Sequence, residues 1–359
     1  MYLLNNTVKD YAWGSQTDIA AFTGRPVPAP RPEAEMWFGA HPAGPSLLAG
    51  DGRSLGEAIG ADPAGQLGQA VVDRFGARLP YLMKLIAVAR PLSLQVHPTA
   101  EQAADGHARG VYADPWPKPE LVCALTPFTA LAGFRAPEQA AMLIKRLGVP
   151  GLQPAVSLLE AGDIREALRA LLRDRQVVEQ VVWAASAVHH PDYQLVVRLA
   201  RCYPGDPACL APLLLRRHEL LPGQALFLGA GVLHCYIRGF GVEIMGSSDN
   251  VVRAGLTGKP VDVEELLRVT DPSAAPLEVE ATPEGLYATP SPEFRLRRLA
   301  GGEHRLEGGV PRILLCAEGT AGVGSLELGQ GESAFVPASQ PAVAVRVGGS
   351  VYCAEPGTA

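Results

Sequence analysis

Leu92-Ser93-Leu94-Gln95-Val96-His97 alternates apolar and polar residues without a break. Period-two alternation marks a strand with one buried face, so Leu92, Leu94 and Val96 share one side and Ser93, Gln95 and His97 the other. Just upstream, Leu79-Pro80-Tyr81-Leu82-Met83-Lys84-Leu85-Ile86-Ala87-Val88 reads as another strand, divided from the first by Arg90-Pro91. With 39 glycines and 32 prolines in 359 residues, short strands joined by tight turns are favoured over long helices.

Working outward, residues 1 to about 135 keep this rhythm of short apolar runs and turn signals. From about Ala136 to Tyr203 the period changes: Leu168, Leu171, Leu172, Val178, Val181, Val182 and Ala185 fall at helical spacing. Asp163 and Glu166 resemble a capping box, and a further helix from Asp192 to Tyr203 is stopped by Pro204-Gly205-Asp206-Pro207. Strand signals resume at Leu220–Leu228, a short helix spans Asp262 to Val269, and Asp271–Pro276 reads as a linker before further strands. Gly223-Gln224-Ala225-Leu226-Phe227-Leu228-Gly229-Ala230 returns approximately as Gly331-Glu332-Ser333-Ala334-Phe335-Val336-Pro337-Ala338. Only the first copy runs on to a histidine, His234. The expectation is a mainly β chain with a helical insertion: two barrels of similar build, the first equipped for chemistry. Residues 1–135 and 205–270 would form the catalytic barrel, 136–204 the helical insertion, and 271–359 a second barrel without metal.

A net charge of −6 argues against nucleic acid and anionic membrane as partners, so an anionic substrate would need a local basic cluster. The first residues lack the basic start and apolar run of a signal peptide, and no apolar stretch is long enough to span a bilayer. Six scattered cysteines without CxxC pairs read as reduced thiols of a cytoplasmic protein. Expected partners are a small-molecule substrate and, at most, further copies in a small homo-oligomer.

Gln95 and His97 on one strand face suit two ligands of one metal ion. His234 ends another apolar strand, and Glu120 sits in Pro117-Lys118-Pro119-Glu120, where two prolines restrain the backbone. Two imidazoles, a carboxylate and an amide oxygen form a mixed N/O set that zinc accepts. By itself a Gln-x-His pair is more often structural. Tyr236, Glu243, Asp249, Arg253 and Lys259, however, crowd ionisable and hydroxyl groups into one region containing the turn-rich Gly246-Ser247-Ser248-Asp249-Asn250.

Ser93 to Pro98, Lys118-Pro119-Glu120-Leu121, and Gly241-Val242-Glu243-Ile244-Met245 leading through Ser248-Asp249-Asn250-Val251-Val252-Arg253-Ala254-Gly255-Leu256-Thr257 together resemble type I mannose-6-phosphate isomerases of the cupin superfamily. Tyr11-Ala12-Trp13-Gly14, Glu35-Met36-Trp37-Phe38-Gly39 and Leu131-Ala132-Gly133-Phe134-Arg135 add to the resemblance, in family order. It implies two cupin-like jelly-roll barrels and one zinc ion per chain, held by Gln95, His97, Glu120 and His234. It implies an active-site role for Arg253 and a sugar-phosphate pocket that includes Lys84, Ser93, Lys118, Tyr236, Glu243, Asp249 and Lys259. Trp13 and Trp37 are candidates to stack on sugar. Lys84, Lys259 and Ser93 are candidate phosphate contacts, while Lys118, Glu243 and a zinc-bound hydroxide compete as general base. Two segments depart from the family: Leu228-Gly229-Ala230-Gly231-Val232-Leu233, often a Pro-Ala-Asn type turn, and the compact Asp114-Pro115-Trp116-Pro117. Both are expected to reshape the pocket rim. His41 is expected to support the fold, and the adjacent pair His189-His190 to take no part in metal binding.

The implied reaction interconverts mannose 6-phosphate and fructose 6-phosphate. Two other readings compete: an iron-dependent cupin dioxygenase, and a sugar-phosphate-binding cupin without catalysis. Gln95 among the ligands and the Arg253–Lys259 region argue against the first. Retention of every ligand and of Arg253 argues against the second.

Overall fold

The computed structural model describes residues 1–357. Two antiparallel sheets, one of eleven strands and one of nine, frame the chain, with helices added to the first. Tyr81–Val88 is a strand along its whole length and is buried throughout, as a continuous apolar run requires. It lies between Glu35–Phe38 and the thirteen-residue strand His234–Gly246, whose other edge pairs with Glu120–Ala124. Leu94–Val96 pairs with both the start of that long strand and Val252–Gly255. The alternating stretch first singled out is therefore a short strand held between the two segments that carry His234 and Arg253.

The pleat sorts the side chains into layers. Met83, Leu85, Ala87, Leu121, Cys123, Val242 and Ile244 face a core shared with Ile313, Leu315, Phe335, Tyr352 and Ala354 of the second sheet. Lys84 and Glu243, one position out of phase, point the other way and stand opposite each other in the strand register. Leu94 and Val96, together with Leu233, Val252 and Ala254, join the core built by the helices. Gln95 faces away from that core, toward the cavity described below.

Helices occupy Pro137–Arg146, Gln153–Glu160, Ile164–Arg173, Val177–Ser186 and Pro191–Cys202, matching the change of period. Asp163 caps its helix by accepting from the Glu166 amide at 3.0 Å; the reciprocal half of a capping box is absent. His190 Nδ1 accepts from the Asp192 amide at the start of the last helix, while His189 meets Gln194. No helix among the described residues is long and apolar enough to cross a membrane.

The two repeat copies form the strands Ala225–Leu228 and Ser333–Val336, in different sheets. The sheets also exchange strands across the expected division at residue 270. Tyr2–Asn5 pairs with Ser333–Val336 of the second sheet, and Leu277–Val279 extends the first sheet beside Ala225–Leu228. Each exchange covers what would otherwise be an open strand edge.

Candidate active site

His97 and His234 are almost wholly buried, and their outer ring nitrogens are spoken for. His97 Nδ1 lies 2.8 Å from the Asn250 carbonyl oxygen and His234 Nδ1 lies 2.8 Å from that of Val232. A carbonyl only accepts, so each ring carries a proton on Nδ1 and turns Nε2 inward. Both Nε2 atoms converge on Glu120: His97 Nε2 is 3.1 Å from Oε1, and His234 Nε2 is 3.5 Å from Oε2. Burial pushes the His97 imidazole down to about 4, more strongly than the Glu120 charge can oppose, so it stays neutral. Burial would raise the Glu120 carboxyl, but Lys118, 3.0 Å from Oε1, and the two imidazoles outweigh it and hold the group well below the usual carboxylate range.

An ionised carboxylate thus faces the neutral His97 imidazole, with His234 Nε2 beside it. His97 Nε2 and Glu120 Oε2 are buried without a hydrogen-bond partner. This arrangement fits a cation: the three ligand atoms lie within 4.8 Å of one another. Gln95 joins them, its amide nitrogen 3.2 Å from His234 Nε2 and its oxygen accepting from Ser93 Oγ at 2.9 Å. Turning the amide over presents the oxygen to the same point, and the Ser93 hydroxyl can then accept instead of donate.

Beside this group opens a cavity of about 500 Å³. Gln95 and Glu120 reach its wall, as do Trp13, Lys84, Ser93, Lys118, Tyr236, Glu243, Asp249, Arg253 and Lys259. Lys84 is buried between two carboxylates, 3.4 Å from Glu35 and 3.5 Å from Glu243. Burial works against its charge, yet Glu35, Glu243 and Glu120 together raise its titration above the ordinary lysine value. Glu243 moves oppositely to Glu120: burial, aided by repulsion from Glu120 and Glu35 and resisted by Lys84, pushes it up to about 7. Arg253 and Lys259 are uncommitted cations, like Arg90; among the described residues none of the three has an ion-pair partner, and Lys259 Nζ lies 5.5 Å from the Tyr11 ring centre. Burial lowers Arg253 and Lys259, and for Lys259 the nearby Arg253 charge adds to the effect.

Several wall residues were not singled out by the sequence. Glu35, Arg90, Tyr203 and Thr257 line the cavity. Glu35 was legible in principle, since it shares a strand face with Trp37, whose Nε1 donates to it at 2.7 Å. Arg90 read only as a strand divider and Tyr203 only as a helix end. His41 does more than support the fold: it packs edge-on against Trp37 and lies 3.4 Å from Asp249 at the cavity margin. The Asp114–Pro117 segment does not itself line the cavity but lies behind the turn that carries Asp249, where the Asp114 carboxylate collects that turn's donors.

Residues 1–137 match the catalytic domain of type I phosphomannose isomerase. The chain is 35% identical over 382 residues to the mannose-6-phosphate isomerase of Escherichia coli K12, covering 96% of this chain and 97% of that one. It is 31% identical to the enzyme of Bos taurus, covering 98% and 93%. A solved mannose 6-phosphate isomerase bound with zinc and yttrium superposes with a TM-score of 0.91 at 33% identity, covering 99% of both chains. A mutant phosphomannose isomerase from Salmonella typhimurium superposes at 0.92 with the same identity and coverage.

Proposed function

The chain belongs to the type I mannose-6-phosphate isomerases, and we propose that its cavity interconverts mannose 6-phosphate and fructose 6-phosphate. The convergence of two imidazole Nε2 atoms on a buried, ionised Glu120 carries this reading. His97, Glu120, His234 and the turned Gln95 amide would hold one zinc ion per chain, a donor set suited to that metal. When bound, zinc supplies Lewis-acid stabilisation of negative charge on the sugar oxygens.

The rest of the chemistry falls to side chains. Glu243 titrates near neutrality and faces the cavity, as a group that takes a proton from C2 of the aldose and returns it at C1 must. Lys118 is engaged with Glu120 and serves to hold that carboxylate ionised. Lys84 steadies the ionised form of Glu243. Arg253 offers an unpaired guanidinium to charge that develops on the enediol oxygens. Lys259 and Ser93 take the phosphate; Trp13, Tyr236 and Asp249 complete the wall around the sugar. Phosphate binding far from the reacting carbons holds them in register.

The two sheets are read as two cupin-type jelly rolls. Residues 1–135 and 205–270 form the catalytic unit, 136–204 the helical insertion and 271–359 the second unit, with Tyr2–Asn5 and Leu277–Val279 each lent to the other's sheet. The substrate is a small molecule, and work in the cytoplasm suits the reduced cysteines. Elemental analysis tests the metal site: the wild-type chain should carry one zinc and His97→Ala almost none. Full zinc occupancy in that variant would refute the assignment.

A further inference from the structure

The stretch Asp114-Pro115-Trp116-Pro117 contributes no ligand, and the cavity wall does not include Asp114. Its carboxylate is nonetheless the centre of a dense set of hydrogen bonds. Oδ1 accepts from Ser248 Oγ at 2.8 Å and from the Trp116 amide at 3.0 Å. Oδ2 accepts from the Asp249 amide at 2.9 Å. The Asp114 carbonyl accepts from Asn250 Nδ2 at 2.7 Å, and the Trp116 carbonyl accepts from the same amide at 2.9 Å. Ser248 Oγ in turn accepts from the Asn250 backbone amide at 3.1 Å. Arg78 closes the far side, donating to the Ser247 carbonyl with its guanidinium 4.4 Å from the Trp116 ring centre.

Each of residues 248, 249 and 250 is thus tied to Asp114. Ser248 and Asn250 are almost completely buried, at 1% and 2% exposure, so their ends of these bonds are shielded from water. What the turn delivers is the Asn250 carbonyl, the acceptor that keeps the His97 proton on Nδ1. A shift of that carbonyl would free the ring to take the other tautomer, in which Nε2 carries hydrogen and cannot bind a metal.

We propose that Asp114 is a positioning residue for the metal: through the 248–250 turn it fixes the tautomer and aim of His97. The inference rests on the metal site assigned above. The same turn joins the strand of Glu243 to the strand of Arg253, so a loosened turn would also disturb two groups assigned to the reaction.

The test compares Asp114→Ala, Asp114→Asn and a control, Val345→Ala, in a buried strand of the second sheet. Zinc dissociation constants come from chelator competition, tautomers from nitrogen-15 spectra of histidine-labelled, zinc-free protein, and stability from thermal melts. Asp114→Ala should weaken zinc binding by about 10- to 100-fold, the usual effect of removing support behind a ligand. Its His97 resonances should change from a pure Nδ1–H form to a mixture. Asp114→Asn keeps one acceptor and should weaken binding less; if the alanine variant does not fold, the asparagine variant carries the test. Val345→Ala should melt lower yet bind zinc as wild type does. Wild-type affinity with an unchanged His97 tautomer in the Asp114 variants would overturn the proposal. So would an equal loss of zinc in Val345→Ala, since general destabilisation would then explain the effect. A wild-type chain that takes up no zinc would sink the metal assignment itself, and this inference with it.

Discussion

Two buried glutamates on neighbouring strands have opposite electrostatic fates, and their difference divides the work of the site. Glu120 has Lys118 and two imidazoles around it and stays ionised; Glu243 has Lys84 on one side and two carboxylates behind it, and titrates near 7. As a proton acceptor Glu243 must be ionised, so catalytic efficiency should rise with pH through about 7. A dication at Glu120 would remove part of the repulsion and place that limb at or somewhat below this value. Glu243→Gln should abolish the limb together with most of the rate, and a pH–rate profile of both proteins checks it. The same raised value opposes folding in the ionised form: the contribution is neutral below the unfolded carboxyl value and grows unfavourable as pH rises toward 7. Thermal melts from pH 5 to about 7.5 should therefore fall less in Glu243→Gln than in wild type. Arg253 makes a complementary case. Its side chain is half-buried, has no polar partner among the described residues, and leaves no core gap when truncated. Arg253→Ala should keep its zinc and its melting temperature while turnover falls by about 10²–10³. Arg253→Lys should recover only part, for want of the planar fork. Unchanged turnover in the alanine variant would show that the guanidinium does not touch the reaction.

At the level of elements, the site depends on strands that approach too closely for side chains in places. A Cβ on Gly241 would lie 2.6 Å from the Cys123 carbonyl oxygen, a backbone atom that cannot move without parting two strands. Those strands are His234–Gly246 and Glu120–Ala124, which hold Glu243, His234 and Glu120. Gly241→Ala should destabilise the chain by about 1–3 kcal/mol and weaken zinc binding as well. Asp163→Ala removes a helix cap far from these strands and should cost about 1 kcal/mol with zinc affinity untouched. Melts and chelator titrations on the two variants distinguish the effects. The alternation was readable from Leu94 on, because Leu94 and Val96 meet the apolar helical core while Gln95 meets the cavity; Leu92 departs from it, lying before the strand and at the cavity wall. The helices from Pro137 to Cys202 were readable for a similar reason, since one face of each is buried. Asp114 was not legible as part of the site, and Glu35 only through the strand face it shares with Trp37. Their roles depend on partners 134 to 136 and 49 positions away, and no local period records such pairings.

Over the whole molecule, the helices of Pro137–Cys202 and the second sheet press on the strands around the cavity from different sides. The helical core backs the strands of Gln95 and Arg253, while the core shared by the two sheets backs those of Lys84, Glu120 and Glu243. Lys84 and Glu243 therefore point away from the inter-sheet core and Gln95 away from the helical core, into one cavity. The order of motifs along the chain picked out His97, Glu120 and His234, which the fold brings together, and composition announced the turn-rich strands. The exchange of Tyr2–Asn5 and Leu277–Val279 between sheets left no such trace, because either strand pattern would suit either sheet. The most direct test is a coupled assay for fructose 6-phosphate formed from mannose 6-phosphate by purified protein, stripped of metal and then given back one equivalent of zinc. The account predicts activity before stripping, almost none after it, and recovery on adding zinc; full activity in verified metal-free protein, or none in protein that has taken up its zinc, would contradict it.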